Sequence, residues 1–461
     1  MRTIDIFKLA EHSRFTSLHG VVLAWCGLVI IFDGYDLAVA GIALPYIMKD
    51  LDVGSAHAGI MVSAALSGAM CGAVLLGTLA DRIGRRRAIA LCVGLFSVFT
   101  AAAGLAHDPV AFGVCRFVAG LGIGGVMPAV VAQMTEFSPH KMRGTLVTLM
   151  FSGYSVGGMM AALLGKGLIE HYGWQAVFFA AAAPLAIVPF LLRSMPESIP
   201  YLIRQRRNAE LAAIAVRLST DYTPRPDDRF VIATEPTTAS TPLRSLFANG
   251  RGTSTCMFWL TFFMCLFMVY ALSSWLTKIM ANAGYSLGSA LTFVLILNLG
   301  GMLGAIGGGM LADRYSIKRV LLGMFALACV SITLLGYKPP TAALYVLLCM
   351  AGAATIGTQI VVYAYAGQYY PLSVRATGIG WASGVGRLGA ISAPVILGVV
   401  VAMRLPLPLN FMLMAVPAAI AFMAVLLINR EPRNRGACAS HGNRPHGPAT
   451  AGATATALGE H

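Results

Sequence analysis

The chain has 461 residues, 57% of them apolar and only 11% charged, with a formal net charge of +14. A water-soluble fold of that length would lack the polar surface to cover itself, so the composition excludes an ordinary soluble protein and makes lipid the main solvent. The positive charge does not call for nucleic acid, because it is distributed as membrane topology demands.

Residues 1–17 form a short N-terminal segment whose Asp5, Lys8, Glu11, His12 and Arg14, with no small-residue cleavage pattern, argue against a removable signal peptide. Stretches of roughly 20 apolar residues, the length that crosses a hydrocarbon core, then centre near Ile30, Ser67, Leu95, Gly122, Val156 and Ala183, within 18–193. A polar linker covers 194–254, and inside it Asn208 to Leu218 has helical apolar spacing suited to lying along a membrane surface. Six further runs centre near Leu266, Gly300, Ala328, Ala354, Gly386 and Ala418, within 255–428. The remainder, 429–461, is rich in Gly, Ala, Thr, Pro and His and reads as a disordered tail. Lipid offers peptide groups no hydrogen-bond partner, so each of the twelve runs is expected to be a helix.

Loops on one side carry only Lys49, Lys278, Lys338 and Arg404, while Arg116, Lys166 and Arg387 fall within or near spans; the rest of the 33 Lys and Arg lie on the other side. Positive loops stay inside, which makes both termini cytoplasmic, and a basic inner face suits anionic lipid headgroups with no acidic partner. The nine cysteines form no Cys-x-x-Cys or Cys/His cluster, so they read as small apolar residues and no metal is expected.

After the second run comes Gly77-Thr-Leu-Ala-Asp81-Arg82-Ile-Gly84-Arg85-Arg86-Arg87, which returns 232 residues later as Gly309-Met-Leu-Ala-Asp313-Arg314-Tyr-Ser316-Ile-Lys318-Arg319. At the same gapless offset Arg143-Gly-Thr145 aligns with Arg375-Ala-Thr377, and Gly120 with Gly352. Duplicated halves of this kind let a carrier open a central site to each side in turn. The expected fold is therefore an all-α membrane protein, twelve transmembrane helices in two pseudo-symmetric six-helix bundles. In the first loop, glycines allow a tight turn and close helix approach, and Asp81 can accept hydrogen bonds from a helix N-terminus. Arg82 and Arg85 can pair with carboxylates such as Glu136, which precedes Ser138-Pro139 and Arg143 and is expected to gate. Asp313, Arg314 and Arg375 form the second copy, thinner in arginine and with Ser316 in place of glycine; Gln368 takes the place of Glu136.

Charges inside spans are expensive and point to function. Asp33 and Asp36 lie three residues apart, so one helix face presents both, and two carboxylates that close need not both be ionised, which makes one a candidate proton carrier. Alternatively, Asp33-Gly34-Tyr35-Asp36 is a helix break near the surface with both acids in water. Arg116, with Gly120 and Gly124 on its face, is placed to pair with Asp33 or Asp36 and to respond to their protonation, or to form a plain structural pair. Arg387 sits amid Gly380, Gly384, Gly386 and Gly389 where its repeat equivalent is Ser155. A guanidinium there can take a substrate carboxylate with two parallel hydrogen bonds or serve in a structural pair.

The Gly-x-x-x-Asp-Arg-x-Gly-Arg-Arg pattern and its echo resemble the major facilitator superfamily over nearly the whole chain, and the resemblance implies that the loop latch stabilises an outward-open state. Asp33-Gly-Tyr-Asp36, the glycine-rich Arg387 span and Asn298-Leu-Gly-Gly301 together resemble the aromatic acid/proton symporters. In that family the paired acids of the first span and the acid of the following loop matter for transport, which maps onto Asp33, Asp36 and Asp81. Leu149-Met-Phe-Ser-Gly-Tyr154-Ser-Val-Gly-Gly158 with Leu164-Gly-Lys166 looks closest to the benzoate-carrying branch. The fifth span has Gly153-x-x-x-Gly157-Gly158 without the proline of the antiporter motif, which favours symport over export. Pro196-Glu197-Ser198 is shared with sugar porters and decides nothing by itself.

The resulting expectation is proton-coupled uptake of benzoate or a hydroxybenzoate across a bacterial-type inner membrane by alternating access, in a monomer that uses no cofactor. Asp33, Asp36 and Arg116 would couple protons, Arg387 would hold the carboxylate, and Tyr154 and Tyr35 would flank the ring, with Trp259, Phe263 and Tyr270 as further aromatic candidates. Uptake of muconate or another organic anion, or of a sugar, is the alternative. A receptor would need a soluble signalling domain, and an enzyme a nucleophile–base pair, metal cluster or phosphate loop; neither pattern is seen.

Overall fold

The computed structural model describes residues 2–6, 9–10, 13, 15–139, 142–218, 222–223, 228–231, 243–247, 250–370 and 374–428, with the side chains of Asp81 and Asp313 outside that description; the expected tail, 429–461, also lies outside the described residues. Among the described residues, twelve helices are long and apolar enough to cross a membrane. In order they are Ser17–Asp50 (span one), Ser55–Ile83 (two), Arg85–Ala103 (three), Pro109–Phe137 (four), Arg143–Tyr172 (five), Gln175–Ser194 (six), Gly252–Asn282 (seven), Leu287–Arg314 (eight), Ile317–Leu335 (nine), Thr341–Tyr369 (ten), Arg375–Ala402 (eleven) and Leu407–Leu427 (twelve). Every run centre read from hydropathy falls inside one of them. Even the shortest, 19 residues, reaches about 28 Å at the helical rise, close to the thickness of a hydrocarbon core.

The duplication is visible in the packing. In the first half Gly68 and Gly72 of span two press against the backbone of Phe117 and Leu121 in span four, and Gly120 of span four against Ala65. In the second half Gly300 and Gly304 of span eight press against Cys349 and Ala353, and Gly352 against Leu297. Each pair in one half maps onto its counterpart in the other at the sequence offset. Without side chains at these points the helix backbones touch, which is how membrane helices associate when lipid supplies no hydrophobic drive between them.

Two spans are less regular than the expectation. Span six is a helix at Gln175–Ala180, a tight 3-10 turn at Ala183–Ile187 and a helix again at Val188–Ser194; Pro184 and Pro189 each lack the N–H that would continue the ladder. Span ten widens into a π-turn at Ala353–Gly357. The linker also holds more structure than expected. Strand β1 (Arg2–Asp5) pairs in parallel with β2 (Asp228–Val231), tying the N-terminus to the linker and departing from a purely helical chain. The helix Asn208–Leu218 forms where the spacing placed it, yet Leu211, Ile214, Ala215 and Leu218 are buried in a core shared with Ile4, Ile6 and Phe230. Its apolar face is covered by protein, which replaces the expected membrane-surface role.

Candidate transport site

Span one runs unbroken through Asp33-Gly34-Tyr35-Asp36, and both carboxylates are fully buried. That overturns the reading of a solvated helix break. From span four, Arg116, itself 1% exposed, donates through Nη1 to both oxygens of Asp36 at 3.1 and 3.2 Å and to Thr100 Oγ1 of span three at 2.9 Å; its Nη2 donates to the Asp36 carbonyl at 3.0 Å. Asp36 is thus the partner of Arg116. Neither oxygen of Asp33 has a hydrogen-bond partner among the described residues. The charge that reaches it from the other half is Arg387 of span eleven, which also acts on Tyr270 and Tyr363.

Between the halves lies a nearly closed space lined by Gly34, Leu66, Arg116, Tyr154, Gly158, Tyr270 and Asn298, with about 20 Å³ of free volume. That admits about one water, far below the volume of a ligand pocket, so a substrate enters only if side chains or bundles move. The hydroxyls of Tyr154 and Tyr270 interact across the two halves. Tyr363 of span ten shares a hydrogen bond of 2.7 Å with Ser383, and Asn298 Nδ2 donates to Val294 O at 2.9 Å. Tyr35 is elsewhere: it is 3% exposed and its hydroxyl donates to Val177 O of span six at 2.7 Å. One residue of helix turns the side chain by about 100°, so Tyr35 faces away from the neighbouring Gly34 that lines the cavity. Trp259 stacks on Trp381, and Phe263 on Phe267, so both are engaged with other rings. Tyr363 was not found from sequence. Comparing halves would have found it, since Val131 holds the equivalent position. Among the described residues no cluster of His, Cys, Asp and Glu could hold a metal.

The two halves are closed against each other at the end remote from the linker. A Cβ on Gly41 of span one would lie 2.9 Å from Ser274 Cα of span seven, and one on Gly59 of span two 3.0 Å from the Pro394 carbonyl carbon of span eleven. Ser63 Oγ donates to Ile391 O at 2.7 Å. At the linker end, among the described residues, ion pairs join span three to span four and to the start of the linker. Arg85 pairs with Glu136, as the sequence suggested. Arg86 meets Glu197, whose Oε1 accepts from the backbone N–H groups of Arg86 and Ser198, each at 3.0 Å. Gly84 has φ of 94°, and a Cβ there would sit 2.8 Å from the Glu197 carboxyl carbon, so the loop needs glycine twice over. Ser316 is accommodated in the second copy because its φ is −60°. Glu197, buried at 3% exposure, caps the start of span three; a loop acid has no periodicity to reveal it. Arg82 and Arg314 are exposed at the ends of spans two and eight. Arg143 and Arg375 open spans five and eleven, and Arg375 Nε donates to Tyr370 O at 3.3 Å.

Twelve spans in two matched halves, with buried charge at their junction, define a secondary carrier, and the profile of the Major Facilitator Superfamily matches residues 26–311 and 304–456. The chain belongs to that superfamily. Within it, the chain is 42% identical to the benzoate transport protein of Acinetobacter baylyi over 93% of each chain. It is 33% identical to the gallate transporter of Pseudomonas putida, over 92% of this chain and 94% of that one. Both support the resemblance to the aromatic-acid carriers, and the first supports the benzoate branch. In fold it is similar to the xylose transporter XylE from E. coli in a partially occluded inward-open conformation, with a TM-score of 0.70 at 16% identity, covering 88% of this chain and 97% of that one.

Proposed function

We propose that this protein carries benzoate, or a closely related aromatic carboxylate, inward together with protons across a bacterial inner membrane by alternating access. The observation that carries the reading is the buried Asp33, without a hydrogen-bond partner among the described residues and within electrostatic reach of Arg387 in the other half. A substrate carboxylate competes with Asp33 for that guanidinium. When Asp33 takes a proton its attraction for Arg387 is lost and the guanidinium binds the substrate through a charge-assisted pair; when the proton leaves, the restored charge on Asp33 competes with the anion for Arg387. Asp36 and Arg116, already paired, hold span one against span four. The positive-inside pattern makes the linker end and both termini cytoplasmic, so the closed far end faces outward.

Energetics require the proton. Moving an anion into a negative interior costs about 2.3 kcal/mol per charge per 100 mV; one proton cancels that and a second reverses it. Tyr363 and Ser383 satisfy each other and Asn298 bonds its own helix, which favours a substrate with few ring hydroxyls, Ser273 and Ser274 of the cavity wall being the groups left to meet one. Asp81, Arg82, Arg85, Glu136 and Arg143, with Asp313, Arg314 and Arg375, would latch the cytoplasmic end in the outward-open state. One chain contains the whole site, so a monomer suffices.

The test is uptake of labelled benzoate, 4-hydroxybenzoate, gallate, muconate and xylose into vesicles carrying the protein, with and without a protonophore. Benzoate should accumulate most and lose its accumulation when the gradient collapses. Uptake indifferent to the protonophore removes symport; preference for muconate or xylose replaces the substrate class.

A further inference from the structure

Spans eight and nine leave a groove of about 530 Å³ between them, floored by Ala353 and Ala354 of the π-turn in span ten. It is separate from the transport site. Asn298 lines the central cavity, whereas Gly307, nine residues further along the same helix, lines the groove; nine residues turn a helix by about 900°, half a revolution from the start. The groove therefore opens on the opposite side of span eight, onto the bilayer, and Leu303 and Leu311 on its rim are half exposed.

The recess is walled by glycine where the first half carries leucine. Gly307 and Gly323 stand on its opposing walls, and a Cβ added to either meets nothing within 4 Å. At the repeat offset the first half has Leu75 and Leu91, so the fold tolerates bulk at both places and the space is not a packing requirement of the duplicated scaffold. The π-turn beneath widens the floor further, a feature of helices that tends to occur at functional positions.

The mouth is cationic. Arg319 and Tyr315 line it at the linker end, and Arg314 is exposed close by in sequence. Lys318 is engaged, donating to the carbonyls of Leu426 and Ile428 at 2.9 and 2.7 Å. Arg319, by contrast, makes no side-chain hydrogen bond or ion pair among the described residues. An apolar slot in contact with acyl chains, ending in an unpaired guanidinium at headgroup depth on the basic face, is complementary to one kind of molecule.

We propose that this groove is a binding site for an anionic phospholipid of the cytoplasmic leaflet. One acyl chain lies between spans eight and nine over the π-turn, and the phosphate is held by Arg319, with Tyr315 at the interface.

Purified protein in detergent, delipidated and titrated with phosphatidylglycerol or phosphatidylcholine, tests this by native mass spectrometry of retained lipid. The wild type should retain one phosphatidylglycerol that phosphatidylcholine does not replace. Arg319→Gln should weaken it about tenfold or more, as loss of a charge-assisted hydrogen bond does. Gly323→Leu and Gly307→Leu fill opposite walls and should each abolish it; either one alone suffices if the other does not fold. Equal retention of the two lipids, or wild-type retention by Arg319→Gln together with a folded leucine variant, overturns the proposal.

Discussion

Asp33 and Asp36 differ in what their neighbours would lose, and that difference predicts which acid is structural. Replacing Asp36 with Asn leaves the Arg116 guanidinium, 1% exposed, without its counter-ion while its bonds to Thr100 and to the residue 36 carbonyl remain. Breaking a buried pair by removing one partner costs about 3–5 kcal/mol; Asn keeps one oxygen for Arg116, which puts the loss toward the lower end. Asp33 accepts no hydrogen bond among the described residues, so Asp33→Asn leaves no donor stranded and should change stability by about 1 kcal/mol or less. Thermal unfolding in a single detergent reads both stability changes. Benzoate exchange at zero gradient, compared with accumulation driven by an imposed pH gradient, reads the coupling. Asp33→Asn should fold and exchange yet fail to accumulate, whereas Asp36→Asn should be destabilised and partly recovered by adding Arg116→Gln. An Asp36→Asn protein as stable as wild type, or an Asp33→Asn protein that still concentrates benzoate, would show the reasoning to be wrong.

Arg387→Lys should weaken apparent benzoate affinity by about tenfold and Arg387→Gln by more, because a point charge does not replace a planar fork; unchanged affinity in both removes the anion contact. Gly59→Leu forces spans two and eleven apart against Pro394 and Val395. Overpacking costs about 1–3 kcal/mol, so the balance between states should move by about 5- to 150-fold toward opening at the far end, seen as faster amide exchange over 55–66; unchanged exchange there argues against a seal. Glu197→Ala removes the acceptor of one buried and one half-buried N–H group and should cost about 1–3 kcal/mol, loosening exchange at 85–88 without altering benzoate affinity. A changed affinity with normal exchange would place Glu197 in the transport path instead.

The spans were legible because lipid demands long apolar runs, and the halves because backbone contact demands glycine at fixed positions: Gly68 and Gly300, Gly72 and Gly304, Gly120 and Gly352 all recur. The pairing of Arg116 with an acid of span one was legible in kind, from helix spacing. Which acid it takes was not, because that depends on how far span four stands along span one. Tyr35 was misplaced for the same reason in reverse, since adjacency to Asp36 in sequence means divergence around the helix. The π-turn at Ala353–Gly357 and the pairing of β1 with β2 carry no periodic signal at all.

In the proposed mechanism the chemistry sits where the two halves disagree. Asp33 is matched by Cys265, Arg116 by Leu348, Tyr270 by Ala38, Tyr363 by Val131 and Arg387 by Ser155. The matched glycines give both bundles the same packing, which lets one rock against the other between two states of similar energy. Buried charge placed symmetrically would put like against like across the junction and resist closure in every state. An acid on one side and a guanidinium on the other attract instead, and their attraction is cancelled by a proton on the acid or a carboxylate on the guanidinium. Neither ligand alone leaves both groups neutralised: a proton without substrate strands Arg387, and substrate without a proton strands Asp33. Desolvating such a stranded charge costs several kcal/mol, enough to hold back the bundle movement of a half-loaded carrier by about a hundredfold or more. In the proposed mechanism, coupling follows from the cost of an unpaired charge at the closing junction, with no separate lock required.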